Sequence, residues 1–309
     1  MKDFPLVTIG VPSYNNAAYV IKTLNSAIDQ TYNNIELIII DDCSTDNSYQ
    51  IIENWREENN VNIQMFRNET NLGISKTMNL LLKYATGKYF QKLDADDILL
   101  NDKIEKQVSI LENSGTDVAL AYADILLMDE RDDLIEECYL KRIGSTGKVG
   151  DDVFLSLLNK NHIPCTSVLL KTTILKNEGG FNENLDLYED WDLWLRLSLK
   201  YHFKYIHEPL SYYRIHKDSQ MLDEQKKILR NKNNLVLMSS FFEQEKKYKK
   251  IIFKKIEMAS IYAFVLKDTN ASTYLQWCLR RGFNLKVIVY FVLSKIRIKH
   301  PANWFVNHG

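Results

Sequence analysis

The alternation of apolar runs with amphipathic segments in the first hundred residues limits the fold most strongly. Predicted strands occupy residues 6–11, 35–40, 62–66 and 88–93, and the first two of these are largely apolar. Between them hydrophobic residues recur at helical spacing, as in the stretch from Ala17 to Ile28. Strands that alternate with helices predict a parallel sheet, because parallel neighbours must be joined by a crossover connection. The sequence therefore predicts an α/β fold with a mostly parallel sheet.

The rest of the chain divides into a continuation of this pattern and a helical region. We predict helices at 102–113 and 188–201, strands at 118–125 and 167–170, and an irregular excursion at 126–150. Beyond residue 220 the strand pattern fades and long amphipathic helical patterns follow. We therefore expect an α/β domain over 1–220 and a basic helical region over 221–309.

Composition favours a globular protein with two differently charged parts. The 309 residues are 45% hydrophobic and 26% charged, which suits about two domains. Residues 1–220 hold 22 Lys and Arg against 34 Asp and Glu, whereas residues 221–309 hold 17 against 6. The four cysteines are widely spaced, and no signal peptide is visible before the first strand. These features predict a cytoplasmic protein with reduced thiols.

Polar residues follow three of the predicted strands. They are the segments Pro12–Asn15, Asp41–Asp42 and Asp94–Asp97. Ligands bind outside the carboxyl ends of strands in open parallel sheets, so these segments are candidate ligand contacts. The chain has neither a dinucleotide-binding glycine fingerprint nor a P-loop signature. Phosphate must therefore be held by something other than a glycine-rich loop.

The Asp94-Ala95-Asp96-Asp97 cluster offers a metal ion as that alternative. Clustered carboxylates repel one another unless a cation lies between them. Oxygen ligands suit Mg²⁺ or Mn²⁺, which usually bridge a few carboxylates to substrate phosphates. Taken alone, the motif is equally typical of an Asp-rich turn that begins the next helix. Two further polar strand ends in the same predicted sheet favour the metal.

Five motifs stand in order along the chain. They are Pro12-Ser13-Tyr14-Asn15, Ile40-Asp41-Asp42-Cys43-Ser44-Thr45-Asp46, Asn71-Leu72-Gly73, Leu93-Asp94-Ala95-Asp96-Asp97 and Glu189-Asp190-Trp191-Asp192-Leu193. This series resembles that of family 2 inverting glycosyltransferases and implies the GT-A fold and an enzyme of the bacterial surface-polysaccharide type. The resemblance covers about residues 4–220, and Cys43 stands where the family usually has Gly.

The resemblance implies a nucleotide-diphosphate sugar as donor, with UDP preferred. Tyr14 would stack on the base, Asp42 would accept the N3–H of a uracil or thymine, and Asp94 would meet the ribose. The donor-binding residues that it implies are Pro12, Tyr14, Asn15, Asp42 and Asp94.

It also implies a site for Mn²⁺ or Mg²⁺. Asp96 would be the ligand, with Asp97 as a second one. The segment Tyr213-Arg214-Ile215-His216 resembles the Tyr-Arg-x-His segment of many members, so His216 could complete the metal shell or contact the diphosphate. Arg214 could pair with phosphate or with an aspartate.

Asp190 is the candidate general base, which would take the proton from the acceptor hydroxyl. Glu189 beside it would contact the acceptor, a saccharide or a lipid-linked saccharide, or would raise the pKa of the base by like-charge repulsion. Trp191 would contact the acceptor or belong to the core. The simpler interpretation is that these acidic residues form the first turn of a helix, where the macrodipole favours them. Trp194, three residues further on, is expected in the core.

The basic C-terminal region has two interpretations. Lysines cluster between Lys246 and Lys255, and the apolar run from Val287 to Leu293 is too short to span a bilayer. We expect either a peripheral contact with the anionic inner face of the cell membrane or a contact in a homo-oligomer. Nucleic-acid binding is not supported, because no recognised fold or basic–aromatic interleaving occurs.

Two other functions fit parts of the pattern. A sugar nucleotidyltransferase also combines an α/β sheet with metal-binding Asp, but it would need a Gly-rich, Arg-bearing loop after the first strand. A non-catalytic nucleotide-binding scaffold of a membrane assembly would be favoured by loss of an Asp from the metal motif or of Asp190. All of these residues are present.

Overall fold

The computed structural model describes residues 4–59, 63–136, 138–143, 152–185, 187–216, 226–282 and 284–295. The chain divides into two compact units, residues 1–219 and 220–309. None of the helices in these described ranges is both long and apolar enough to cross a membrane.

The first unit contains nine strands and eight helices within its described residues. The strands are β1 (Val7–Ser13), β2 (Ile35–Asp41), β3 (Ile63–Arg67), β4 (Tyr89–Lys92), β5 (Ile98–Leu99), β6 (Val118–Met128), β7 (Leu134–Glu136), β8 (Leu169–Lys171) and β9 (His202–Arg214). The helices are α1 (Val20–Ile28), α2 (Ser48–Asn59), α3 (Ile74–Tyr84), α4 (Lys103–Glu112), α5 (Tyr139–Arg142), α6 (Val153–Asn159), α7 (Thr172–Asn177) and α8 (Glu189–Ser198), with a 3₁₀ turn at Cys165–Ser167.

All nine strands join one sheet, in the order β3-β2-β1-β4-β8-β6-β9-β5, with β7 beside β6. The strands β3, β2, β1 and β4 are mutually parallel, as are β6 and β9. The remaining pairs are antiparallel. The predicted α/β class is confirmed, and the parallel arrangement is complete in the half of the sheet that carries the first motifs.

Burial on both faces explains why β1 reads as a nearly continuous apolar run. Val7, Ile9 and Val11 lie in a core cluster that includes Val20 and Leu24 of α1. On the other face, Gly10 lies against Leu81 of α3 and Phe90 of β4, where an added Cβ would meet the Phe90 ring at 2.9 Å. A parallel strand covered by helices on both faces has no solvent-facing residues, so its sequence does not alternate.

Two predictions for this unit were wrong. The stretch 126–150 is not irregular throughout, because β6 extends to Met128 and both β7 and α5 follow it; residues 144–150 lie outside the described ranges. The chain also forms β9, a strand of 13 residues that the sequence did not predict. Between Ile206 and Pro209 its register against β6 shifts, which is typical of a bulge.

The second unit is helical, as predicted, and contains α9 (Lys227–Gln244), α10 (Lys249–Val265), α11 (Ala271–Leu279) and α12 (Leu285–Lys295), with a 3₁₀ turn at Lys246–Tyr248. Its interior is formed by apolar side chains such as Met238, Ile252, Ile256 and Leu275, which are at most 2% exposed.

Gly87 is a position where backbone crowding leaves no room for a side chain. Its N–H donates to Thr8 Oγ1, and an added Cβ would lie 2.6 Å from the backbone nitrogen of Thr8. We expect Gly87→Ala to lower the free energy of unfolding by about 1–3 kcal/mol, because β1 and β4 must separate to admit the methyl group.

Urea denaturation measures this loss. Gly115→Ala is the matched control, since its Cβ would meet only the exposed side chain of Asp117, which can turn away. A parental unfolding midpoint for Gly87→Ala would contradict the crowding at this turn.

Candidate active site

The carboxyl ends of β2, β1 and β4 lie side by side, so the three polar segments meet at one edge of the sheet. The parallel register sets Ser13 opposite Asp41, and β4 pairs with β1 up to Lys92. Two backbone bonds continue these pairings past the strands, from Asp42 N to Ser13 O at 2.8 Å and from Leu93 N to Gly10 O at 3.0 Å. The convergence expected from the sequence is therefore present.

The segment after β1 is tied to the segment after β2. Asn15 has a positive φ of 57°, and its Oδ1 accepts from Thr45 N at 2.8 Å. The sequence suggested that the strand ends before Pro12. In the structure Pro12 lies buried within β1, which continues to Ser13. Beyond the strand end, Tyr14 is 44% exposed. Its ring is thus accessible, as a stacking surface must be.

The carboxylate of Asp42 organises the Asn71-Leu72-Gly73 turn. Its Oδ1 accepts from Leu72 N and from Asn68 Nδ2, both at 2.8 Å, and its Oδ2 accepts from Gly73 N at 2.9 Å. A carboxylate offers about four acceptor sites, so one remains after these three bonds. That site could accept a further N–H, as the predicted contact with a base requires.

The four residues after β4 have three different environments. Asp94 Oδ2 lies 3.1 Å from Lys92 Nζ. Asp96 Oδ2 lies 3.0 Å from His216 Nε2. Asp97 is fully buried, and its Oδ1 accepts from Arg214 N at 3.0 Å. Burial raises the pKa of Asp97 well above its ordinary value, and the neighbouring carboxylates of Asp96 and Asp94 add to this.

Arg214 holds the end of β9 against this loop. It is 1% exposed, its Nε donates to Asp96 O at 2.8 Å, and one of its terminal nitrogens pairs with Asp132. Arg214 was expected to pair either with phosphate or with an aspartate, and the structure contains the pairing with an aspartate. By fixing β9, this pairing also fixes His216, which is two residues further along the chain.

Asp96 and His216 are the side chains here that could hold a divalent cation. Their Oδ2 and Nε2 atoms lie within hydrogen-bonding distance, so a carboxylate and an imidazole, both ligands of divalent cations, converge at one point. Within the described residues, no group of three or more His, Cys, Asp or Glu could hold a metal ion. An ion here would therefore take its other ligands from phosphate and water, as Mg²⁺ commonly does.

Asp190 lies in the first turn of α8 in a nonpolar and acidic setting. Its Oδ2 accepts from Asn161 Nδ2 at 3.2 Å, and its Oδ1 accepts from Trp191 N at 2.6 Å. Burial, and then the charge of Glu189, raises the pKa of Asp190 to about 7, although Lys92 opposes the rise. A carboxylate that titrates near neutral pH is suited to general base catalysis.

The two tryptophans of α8 differ. Trp191 is half-buried, its Nε1 donates to Leu157 O at 2.8 Å, and its ring meets Tyr188 edge to face. Trp194 is fully buried and donates to Ile163 O. Trp194 therefore belongs to the core, as expected, whereas Trp191 keeps part of its surface accessible beside Asp190.

Two residues of this site were missed by the sequence analysis. Lys92 contacts both Asp94 and Glu189, and Asn161 contacts Asp190. Lys92 could have been found from the sequence, because a strand lysine two positions before Asp94 is expected on the same face of the sheet as Asp94. Asn161 could not, since its contact with Asp190 depends on how the loop after α6 packs against α8.

The chain is similar to known glycosyltransferases. The pattern of the family described as glycosyl transferase family 2 matches residues 8–135. The chain is 31% identical to an uncharacterized glycosyltransferase of Haemophilus influenzae, over 70% of this chain and 67% of the relative. It is 32% identical to an Escherichia coli protein named UDP-Glc:alpha-D-GlcNAc-diphosphoundecaprenol beta-1,3-glucosyltransferase WfaP, over 74% of this chain and 85% of the relative. It spans less than two thirds of some relatives, such as 64% of a Rickettsia typhi glycosyltransferase.

Solved structures show the same fold at low identity. TarS of Staphylococcus aureus in complex with UDP aligns with a TM-score of 0.59 at 17% identity, over 94% of this chain and 80% of that one. A mannosyltransferase of Pyrobaculum calidifontis in complex with GDP-Man and Mn²⁺ aligns with a TM-score of 0.60 at 16% identity, over 96% and 81%. The GT-A fold implied by the motifs is confirmed. The chain therefore belongs to glycosyl transferase family 2.

Proposed function

We propose that the chain is an inverting, metal-dependent glycosyltransferase of cell-surface polysaccharide synthesis. It transfers a hexosyl or N-acetylhexosaminyl group from a nucleotide-diphosphate donor, preferably UDP-linked, to a hydroxyl of a saccharide or a lipid-linked saccharide. The observation that carries this proposal is the contact of Lys92 with both Asp94 and Glu189, which joins the aspartate cluster to the turn that holds Asp190. The printed name of the WfaP relative supports the donor and acceptor classes, and the UDP in the TarS structure supports the nucleotide.

The donor binds at the carboxyl edge of the parallel strands. Tyr14 stacks on the base, the remaining acceptor site of Asp42 takes an N–H of the base, and Asp94 contacts the ribose. Pro12 and Asn15 shape the loop that presents Tyr14. The exposure of Tyr14 and the single acceptor site left on Asp42 support these roles.

Asp96 and His216 would hold the metal, Mn²⁺ or Mg²⁺. A bound ion would offset the negative charge that develops on the departing nucleotide diphosphate. Asp97 would serve as a second aspartate ligand through its Oδ2, which has no hydrogen-bond partner among the described residues, while its Oδ1 accepts from Arg214 N. The convergence of Asp96 and His216, and the Mn²⁺ in the Pyrobaculum enzyme's structure, support this assignment.

Asp190 is the general base of a single displacement. Its carboxylate takes the proton from the acceptor hydroxyl while the hydroxyl oxygen attacks the anomeric carbon. The bond from that carbon to the diphosphate oxygen breaks, its electron pair leaves with the nucleotide diphosphate, and the anomeric configuration inverts. Glu189 and the accessible surface of Trp191 bind the acceptor on the side opposite the leaving group.

The two alternatives have less support. A sugar nucleotidyltransferase would need a Gly-rich, Arg-bearing loop after β1, where this chain has Tyr14, Asn15 and Asn16. A non-catalytic scaffold would be favoured by the loss of Asp96, Asp97 or Asp190, and all three are present.

The C-terminal unit holds the enzyme at the cytoplasmic face of the membrane. Along α10, the residues Ile251, Lys254, Met258, Tyr262 and Val265 recur at helical spacing and are exposed. An exposed stripe of apolar side chains beside lysines is typical of helices that lie at anionic interfaces. A lipid-linked acceptor would be reached from there.

Replacing the base should abolish transfer without abolishing donor binding. We expect Asp190→Asn to lower the transfer rate by about 100- to 10,000-fold, because the amide cannot accept the hydroxyl proton. A panel of UDP- and GDP-sugars, tested first by hydrolysis and then with lipid-linked acceptors, identifies the substrates. Calorimetry should give the variant a parental Kd for UDP, and transfer at the parental rate would refute the base assignment.

Metal ligands can be tested by UDP binding alone. With Mn²⁺ present, Asp96→Asn and His216→Ala should each weaken UDP binding at least about tenfold, because a cation held by these side chains would attract the diphosphate. Asp117→Asn and His202→Ala are the controls, since they alter an exposed His–Asp pair separated by 3.6 Å. If UDP binding does not depend on Mn²⁺, the metal proposal fails and the scaffold alternative gains support.

Membrane contact predicts binding that depends on lipid charge. The full chain should sediment with phosphatidylglycerol vesicles and not with phosphatidylcholine vesicles. Lys250→Gln/Lys254→Gln should weaken this binding roughly 30-fold, because each lysine near the surface contributes about 1 kcal/mol. The control Lys106→Gln lies in the other unit. If the double variant alters the mass measured by light scattering and leaves vesicle binding unchanged, the face joins two copies of the chain instead.

A further inference from the structure

Lys92 is a buried cation between two carboxylates from separate parts of the chain. It is the last residue of β4 and is 5% exposed. Its Nζ lies 3.1 Å from Asp94 Oδ2, in the loop after β4, and 3.4 Å from Glu189 Oε1, in the first turn of α8. One ammonium group therefore contacts both the donor end of the site and the turn that carries Asp190.

The surroundings of Lys92 keep it charged. Burial alone would lower the pKa of its ammonium group, but Asp94, the Cys165 thiol, Glu189 and Asp190 together hold it well above the ordinary value. A buried charge is tolerated only where it is paired, and three carboxylates crowded together need a counter-charge in turn. Neither the lysine nor the carboxylates would be stable in this place without the other.

The first turn of α8 is held from two sides. On one side, Trp191 Nε1 donates to Leu157 O, and Asn161 Nδ2 donates to Asp190. On the other side, Lys92 is the residue whose ion pair joins α8 to β4. Loss of the lysine would leave the turn attached to α6 and its following loop, while the aspartate cluster stays with β4.

We infer that Lys92 is a positioning residue, which fixes Asp190 at the proper distance from the donor by holding Glu189 and Asp94 on a single cation. This inference rests on the proposed function, because it assigns Asp94 to the donor and Asp190 to the base. Lys92 itself touches neither substrate nor the transferred proton.

A lysine with only a structural role and a positioning cation differ in their expected effect on the pKa of Asp190. The groups that face Asp190 are Glu189 of its own helix, Lys92 of β4, the Cys165 thiol of the 3₁₀ turn and the amide of Asn161. Lys92 is the one cation among them. Its removal should raise the pKa of Asp190, whereas the removal of the Glu189 charge should lower it.

Carbon-13 NMR of the full chain, labelled at the aspartate carboxyls, measures this without donor or acceptor. The Asp190 signal is identified by its loss in Asp190→Asn and should titrate near 7 in the parent. We expect Lys92→Met to raise that value by about one pH unit or more, Glu189→Gln to lower it, and Lys92→Arg to leave it close to the parent's.

Lys106→Met is the matched control. Lys106 also bridges two carboxylates, Asp102 and Glu208, each at 2.7 Å, but on the surface and away from Asp190. It should alter neither the titration nor transfer. If Lys92→Met does not fold, Lys92→Gln replaces it, since the glutamine keeps a hydrogen-bond donor and removes the charge.

Transfer kinetics complete the test. Lys92→Met should lower kcat about 100-fold, because a misplacement of about 1 Å is enough for such a loss, and Lys92→Arg should restore most of it. An unchanged Asp190 titration in Lys92→Met, or transfer at the parental rate, overturns the inference. The proposed function has its own test, since it fails if Asp190→Asn transfers sugar at the parental rate. In that case the titration would still report whether the Lys92 cation acts on Asp190.

Discussion

The parallel pairing of β1 with β2 and β4 is the constraint on which the rest of the first unit depends. Three strands that run in the same direction end at the same edge of the sheet. The segments after Ser13, Asp41 and Lys92 therefore meet as a direct result of the strand pairing. Helices on both faces bury these strands. The polar residues lie beyond the carboxyl ends of the strands, where a ligand can reach the backbone.

That edge concentrates negative charge, and the structure balances it with cations of fixed position. Lys92 lies between Asp94 and Glu189, and Arg214 pairs with Asp132 while donating to the backbone of Asp96. Lys103 shows the contrast. It is equally buried but lies between the amide oxygens of Gln91 and Gln107, and burial lowers the pKa of its amine well below the ordinary value. Burial beside carboxylates stabilises a charge that burial among amides disfavours.

The limits of sequence reasoning follow from these contacts. The early strands were predicted to within two residues at each end. In β1 and β2 this follows from burial of most of their residues, which gives a nearly continuous apolar run. β9 was missed because the residues from His202 to Glu208 are mostly polar and partly exposed, and Pro209 follows at the register shift. Its pairing comes from β6, more than 70 residues earlier in the chain. Such a strand is stabilised by its neighbour and not by its own pattern.

The sequence by itself determined the α/β order, the helical C-terminal region and the motifs that identify the family, because all of these depend on local periodicity or on residue types at short spacing. Only the tertiary structure decided which carboxylates share a cation, that His216 meets Asp96 across 120 residues, and that Asn161 reaches Asp190. Those contacts depend on how loops from distant strands pack at one sheet edge. The charge and burial that set the pKa of Asp190 exist only once that packing has formed.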